Sequence, residues 1–362
     1  MADDAVHTHV RRRIDTWLIV RIVIGVLVVT YLVYRLWIIL FVEQPYGPDT
    51  WLRFAISGMI LGGVYAVIAL GYTLVYGILF MINFAHGDVM MWGCFAGYFT
   101  LEILSGAGVL NRGISSSIIS IVVTFAIGMI VSTLLAIALE RIAYRPLRMA
   151  PRLVPLISAI GASLFLQNAA QLMFGAARQA YTNPEILERN TGWTVIVGGE
   201  EVLITYTGVL TFVLSVILMA GLWVLVNRTK MGTAMRAVAE DKKVAALMGI
   251  DVDRVIGLTF IISGALAGAA GVMWGLHMGI VYHYVGFVPG LKAFTAAVMG
   301  GIGNIPGAML GGLSLGVLEA MGPPLLGIPF QLKDVVAFGI LVLVLIFRPT
   351  GLLGEVLAEK KA

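Results

Sequence analysis

The sequence predicts an all-α fold, a polytopic transmembrane helical bundle of nine or ten spans with some of them interrupted or re-entrant. Three observations carry this. Hydrophobic residues make up 59% of the 362 residues and charged residues only 12%, where a soluble domain is nearer about a quarter charged. The apolar residues come in runs long enough to cross a bilayer, which takes roughly 20 residues as a helix. Residues 122–139, 202–226 and 255–276 are three such runs, and a soluble fold has no means of hiding several of them.

Residues 1–16 read as a disordered basic tail, and 17–50 as an extra N-terminal transmembrane helix with a short external loop. Arg11, Arg12 and Arg13 before an apolar stretch suggest a signal peptide. The stretch 17–42 is too long for that and lacks a small-residue cleavage site. Arg21 and Arg35 lie near its ends, where they snorkel to the interface. Further spans are expected at 54–70, 89–104, 114–139, 153–175, 202–226, 255–276, 305–320 and 335–347. Two apolar stretches, 72–84 and 291–303, are short for a straight crossing.

Loop charge sets orientation. Arg141, Arg145, Arg148 and Arg152 fill one connection, and the segment 227–254 carries Arg228, Lys230, Arg236, Lys242, Lys243 and Arg254. Both are expected on the cytoplasmic side. Two spans separate them, so the loop 176–202, poor in basic residues, falls outside. Its Gly198-Gly199 is a turn signal for a short hairpin. The N-terminal arginines, and Arg348 with Lys360 and Lys361, place both termini in the cytoplasm. The net charge of +4 is thereby accounted for without nucleic acid.

Many of the 43 glycines are spaced four apart, as at Gly58–Gly62, Gly93–Gly97, Gly264–Gly268 and Gly312–Gly316. In lipid, close backbone approach at small residues is a main source of helix contact. Two regions ask for more. One runs Gly71-Tyr72-Thr73 to Asn83-Phe84-Ala85-His86-Gly87-Asp88; the other is Gly300-Gly301-Ile302-Gly303-Asn304-Ile305-Pro306-Gly307. Paired, glycine- or proline-interrupted short segments point to a substrate path built from broken helices. Tyr72, Asn83, His86, Asp88, Gly301 and Asn304 are the expected path residues.

Conventional site chemistry is sparse. His86-Gly87-Asp88 has no third ligand for a metal, and an enzyme resting on this pair is the weakest reading. Asp88 suits the N-cap of the helix that follows. Glu102 and Glu319 fall near helix ends, within reach of water, and His277 and His283 near the outer surface. His7 and His9 belong to the tail. Cys94, the single cysteine, reads as a packing residue. No phosphate-binding G-x-x-x-x-G-K-[ST], no G-x-S-x-G, H-E-x-x-H or C-x-x-C occurs. No catalytic residue, cofactor or metal is expected.

The segment 227–254 differs in kind. Apolar and small residues recur at helical spacing among its charges from Thr233 to Gly249, predicting one or two short helices. Gly249 suits a C-cap. A docking surface for a soluble partner explains so much helix in a cytoplasmic loop.

Here, and around Asn83, the sequence resembles the branched-chain amino acid permeases of bacterial ABC importers. The carrying stretches are 63–77 with 81–88, then 231–254, then 296–316. The resemblance spans 51–354, the expected permease domain, and leaves 355–362 as a cytoplasmic tail. It implies an all-helical permease in the inner membrane, paired with a second related permease, two cytoplasmic ATP-binding subunits and an external substrate-binding protein. Small hydrophobic amino acids are the implied substrates, with urea or short amides as the alternative. In that superfamily a short cytoplasmic helix and a nearby glycine couple to the ATPase. The matching positions are Ala239, Glu240, Ala245, Ala246 and Gly249, with Arg236 on the same stretch. Here Val244 precedes Ala245-Ala246 where the family pattern has glutamate, and the spacing to Gly249 is one residue short. A rival reading from another class is an ion-coupled secondary transporter, which the scarcity of intramembrane carboxylates disfavours.

Overall fold

The computed structural model describes residues 16–354, apart from 44, 111, 149, 152 and 349. His7, His9, the arginine triplet, Arg152, Lys360, Lys361 and the Arg21 side chain lie outside the described residues. Among the described residues, nine helices are long and apolar enough to cross a membrane, and the chain is a polytopic all-α membrane protein.

Helix α1 (Thr16–Trp37) runs on as a π-helix to Glu43. Then follow α2 (Pro48–Leu79), α3 (His86–Gly106), α4 (Ile114–Leu139) and α5 (Leu153–Phe174). The strand β1 (Gln179–Ala180) and the hairpin β2 (Gly192–Val197) and β3 (Glu200–Thr205) lead to α6 (Tyr206–Arg228). Helices α7 (Lys230–Glu240) and α8 (Lys242–Leu247) precede α9 (Val252–Met278). The strand β4 (Ile280–Val281) pairs with β1, and α10 (Phe287–Gly300), α11 (Ile305–Leu326) and α12 (Lys333–Phe347) complete the bundle.

The core is built on α2 and α9, the two most buried spans. The first packs along α11, and the second along α3 and α4. Glycine sets the spacing. A Cβ on Gly312 would run into the backbone of Ala66, and one on Gly316 into that of Gly62. Gly93 and Gly268 meet in the same way between α3 and α9. Helices α4, α5, α6 and α12 surround this core with broad apolar faces left open.

Several expectations are corrected. The stretch 72–84 is no separate element, because α2 continues unbroken through Gly71 to Leu79. No proline interrupts it, and Gly71 is the place where the His86 imidazole closes on the helix. The span expected from 202 begins at Tyr206, because residues 202–205 extend the hairpin. Thr205, not an apolar residue, caps it. Asp88 lies inside the first turn of α3 and caps nothing, and Ala85 holds the N-cap position. The hairpin itself turns at Gly198-Gly199, both at positive φ, as a two-residue turn between twisted strands requires. Cys94 is fully buried among apolar side chains.

Gly312→Val is expected to cost about 3 kcal/mol or more, since backbone rather than a movable side chain receives the new methyls. Gly221→Ala, on an open helix face, should cost nothing and gain up to about 1 kcal/mol from helix propensity. Unfolding of the two variants in the same detergent compares them.

Candidate functional site

The chain leaves helical structure twice inside the bundle. The first break, residues 80–85, follows Phe80, whose left-handed φ of 54° ends α2. A bulky residue there costs about 1–2 kcal/mol, which the surrounding packing must offset. The break ends at His86, whose ring meets Ser263 near the midpoint of α9, with Nδ1 3.4 Å from Oγ. Helix α3 therefore begins deep in the bundle. The second break, residues 279–286, leads into the short α10. The two meet at Gly87 and Gly286, where a side chain on either would strike the other's backbone.

Beside this contact lies a cavity of about 280 Å³. Tyr72 and Phe84 form one wall and Gly87 its floor. Ile160, Ser163 and Leu164 come from α5, and Phe287 and Leu291 from α10. Below it a much smaller space is lined by Tyr72, Tyr76, Phe294 and, from the two segments singled out in the sequence, Ile82 and Ile302. Aromatic rings separate the two spaces. Phe294 stands 6.0 Å from Tyr72 and 5.7 Å from Phe84, centroid to centroid. Asp88 is buried just behind the wall, where its Oδ1 accepts from Gln167 Nε2 at 2.9 Å. It has no cationic partner among the described residues.

Other predicted residues are placed differently. Asn83 is buried and its Oδ1 accepts from the Tyr144 hydroxyl at 2.5 Å, tying the first break to the segment after α4. Asn304 caps α11, its Oδ1 accepting from Gly307 N–H at 3.0 Å while Nδ2 donates to the Leu353 carbonyl at 2.8 Å. Gly301, at φ 108°, packs on Thr350 and Gly354. Gly301 and Asn304 thus form a turn against the C-terminal segment, away from the cavity. The residue pairing with the first break is Gly286, which the sequence reading passed over.

The segment 227–254 forms two short helices between α6 and α9. Asp241 caps α8, accepting from the N–H groups of Lys243 and Val244. Gly249, at φ 84°, closes it: Gly249 N–H donates to Ala246 O and Ile250 N–H to Ala245 O, the paired bonds of a left-handed helix stop. Ala245 is buried and anchors α8 to the bundle, and Ala239 is half-buried. The Arg236 guanidinium donates to the Val226 carbonyl. Glu240 and Ala246 face outward. Burial, then the neighbouring Arg148, holds the Lys242 ammonium below its ordinary pKa. The surface itself is made by Val244, Leu247 and Met248, of which Leu247 is 86% and Met248 78% exposed. Sequence matching pointed at the alanines. Three large apolar residues in so charged a loop mark this exposed patch in the sequence as well.

Glu319 is corrected too. It is buried, not wetted, and its Oε1 lies 2.8 Å from Lys292 Nζ and 3.2 Å from Lys333 Nζ. Lys292 also pairs with Asp334 at 2.6 Å, and its ammonium lies 5.9 Å from the Tyr65 ring centroid. This network joins α10, α11 and α12 to α2. Lys292, the lone charge on α10, was the signal available in the sequence.

The family model of the branched-chain amino acid transport system permease component matches residues 54–345. The high-affinity branched-chain amino acid transport system permease protein BraD of Pseudomonas aeruginosa is 46% identical over 314 residues, covering 86% of this chain and 98% of that protein. LivH of Salmonella typhimurium, named for the same transport system, is 45% identical, covering 84% and 96%. LivH of Escherichia coli K12 is 43% identical over the same shares. No solved structure matches.

Lys292→Met leaves Glu319 buried with half its compensation, and should cost about 3–5 kcal/mol of unfolding free energy. Adding Glu319→Gln is expected to recover most of that loss. Chemical unfolding of the two variants in one detergent measures both numbers.

Proposed function

Because the chain belongs to the family of branched-chain amino acid transport permease components, we propose that it is the membrane subunit of an ATP-driven importer that carries branched-chain amino acids across the inner membrane. It acts with ATP-binding subunits on the cytoplasmic side, a second related permease, and an external binding protein that delivers substrate. The N- and C-termini face the cytoplasm. Residues 17–50 stand outside the permease domain, 51–354.

The observation that carries the reading is the apolar cavity at the meeting point of the two helix breaks. A branched aliphatic side chain fits against Ile160, Leu164, Phe287 and Leu291. The α-carboxylate is favoured at the positive N-terminal ends of α3 and α10. The α-ammonium is matched by Asp88, a buried carboxylate without a cation of its own. Urea has no apolar part to place in such a cavity. The path continues past Tyr72, Phe84 and Phe294 towards Ile82 and Ile302, and the aromatic rings are its gate.

Coupling follows from connectivity. An ATPase grips Leu247 and Met248 and displaces α8, which is joined through Gly249 and Ile250 to the first turn of α9. Helix α9 carries Ser263 against His86, so a shift of α9 reaches the start of α3. Bistable packing of this kind turns a small shift into an opening on one side or the other.

Leucine uptake into vesicles holding both permeases and the ATPase subunits tests the reading, with the binding protein outside and ATP inside. Uptake should need ATP, and Asp88→Asn should lower its kcat/KM by roughly tenfold to a hundredfold, the worth of about 1.5–3 kcal/mol for a charged hydrogen bond. The ion-coupled reading gives Asp88 the coupling ion instead. Gradient-driven uptake by this chain without any ATPase would establish that reading and end the importer one. Leu247→Glu with Met248→Glu is expected to weaken ATPase binding at least about thirtyfold, a loss of about 2 kcal/mol or more, while the thermal midpoint of the chain holds.

A further inference from the structure

On the face of the bundle where α4 ends and α9 begins there is a second cavity, of about 300 Å³, separate from the substrate path. Its upper part is ionic. Arg141, Arg145 and Arg148, from the turns after α4, and Arg254, from the first turn of α9, surround it together with Glu140 and Asp253. Its lower part is apolar: Ile137 on α4, and Gly257, Leu258 and Ile261 on α9. No atom lies within 4 Å of where a Cβ on Gly257 would stand, so the slot between the two helices is open there.

The ionic part is only half neutralised. Arg148 pairs with both Glu140 and Asp253, and Arg145 Nη2 lies 2.9 Å from Asp253 Oδ2. Those contacts consume both carboxylates. Arg141 and Arg254 have no partner among the described residues. Four arginines against two carboxylates leave two positive charges at the mouth of an apolar slot. The Glu140 carboxylate is itself nearly buried, with its side chain 7% exposed, so Arg148 is held in place and the cluster is preorganised.

We propose that this cavity binds an anionic phospholipid. A phosphate group sits between Arg141 and Arg254, and an acyl chain runs down the α4–α9 slot over Ile137, Leu258 and Ile261. A guanidinium offers a phosphate two parallel hydrogen bonds, which an ammonium does not. Basic pockets between spans at the membrane–water boundary favour anionic headgroups by about 1 kcal/mol for each basic residue. A soluble anion would use the arginines and leave the apolar slot unused, and an acidic protein surface would do the same. The occupant that uses both halves is an amphiphile with a negative head. Because α9 is the helix through which the coupling segment acts in the proposed function, a lipid here would stand beside the moving part. The binding claim itself does not depend on what is transported.

The full chain, purified in mild detergent, is titrated with phosphatidylglycerol and separately with phosphatidylcholine of the same acyl chains, and bound lipid is counted by native mass spectrometry. Phosphatidylglycerol should bind more tightly. Arg141→Ala and Arg254→Ala should each weaken it about fivefold and leave phosphatidylcholine unchanged, and neither residue holds a partner that folding needs. Equal affinity for the two lipids, or an undiminished preference in the double variant, overturns the proposal. A phosphatidylglycerol carrying a diazirine on its acyl chain, photolysed with the unmodified chain, gives a readout that needs no variant. Label on the segments holding Ile137 and residues 257–261 supports the site, and label confined to other helices overturns it. Inorganic phosphate, added at the concentration of the lipid, should not displace it. Displacement would show a site for free phosphate in place of a lipid.

Discussion

Inside a bilayer every backbone N–H and C=O that leaves a helix needs a partner or shelter from protein. That constraint governs this molecule more than any single contact. The chain departs from helix at 80–85 and again at 279–286, and neither departure could face lipid. Each ends at an inward contact, Gly87 on Gly286. His86, Asn83 and the Tyr144 hydroxyl close around the first, and the short pairing of β1 with β4 holds the second. A cavity at their junction follows directly. Two helices that begin in the interior leave their N-terminal ends there, and no side chain of the glycines fills the space.

The same constraint explains what could be read from the sequence and what could not. Spans were legible because hydropathy and length are local properties, and so were the loop helices and the Gly198-Gly199 turn. The first break was legible from Asn83-Phe84-Ala85-His86-Gly87. Its partner was not. Residues 279–286 contain Tyr282, His283 and Tyr284, which read as an ordinary external loop, and nothing local says that Gly286 must touch Gly87 some two hundred positions earlier. The late segment Gly300 to Gly307 looked like a break of the same kind because it has the same composition. Gly300, Gly301 and Gly307 let α10, α11 and residues 350–354 approach one another, while Ile302 between them lines the smaller space. Composition reports that a backbone is unusual; only the packing partner says what the unusual backbone is for.

Glu319 shows a second limit. In an expected span of 305–320 it falls at the end and reads as a carboxylate that reaches for water, but α11 runs on to Leu326. Its partner Lys292 is on a different helix, at a position that fits no repeat, so the pair emerges only once α10 lies along α11. Leu247 and Met248 are the reverse case. They are large and apolar in a polar segment, which the sequence shows, and they are exposed, which only the fold shows.

These placements also divide the cavity walls by how firmly each is held. Helix α10 supplies Phe287 and Leu291 and is fixed to α11 and α12 through Lys292, Glu319 and Asp334. Buried ion pairs tolerate little separation, because parting two charges in a medium of low dielectric leaves each uncompensated. Helix α5 supplies Ile160, Ser163 and Leu164, yet most of its surface is open and it touches the bundle chiefly through α3 and the turn after α4. One wall is therefore rigid and the opposite wall is lightly attached. If the cavity changes volume during a transport cycle, the change belongs to α5 and to the start of α3 rather than to α10. The turn after α4, which α5 packs against, also carries Arg145 and Arg148, bonded to Asp253 on α9. Helix α5 and the helix that follows the segment 227–254 thus meet through one ionic contact, at the turn after α4.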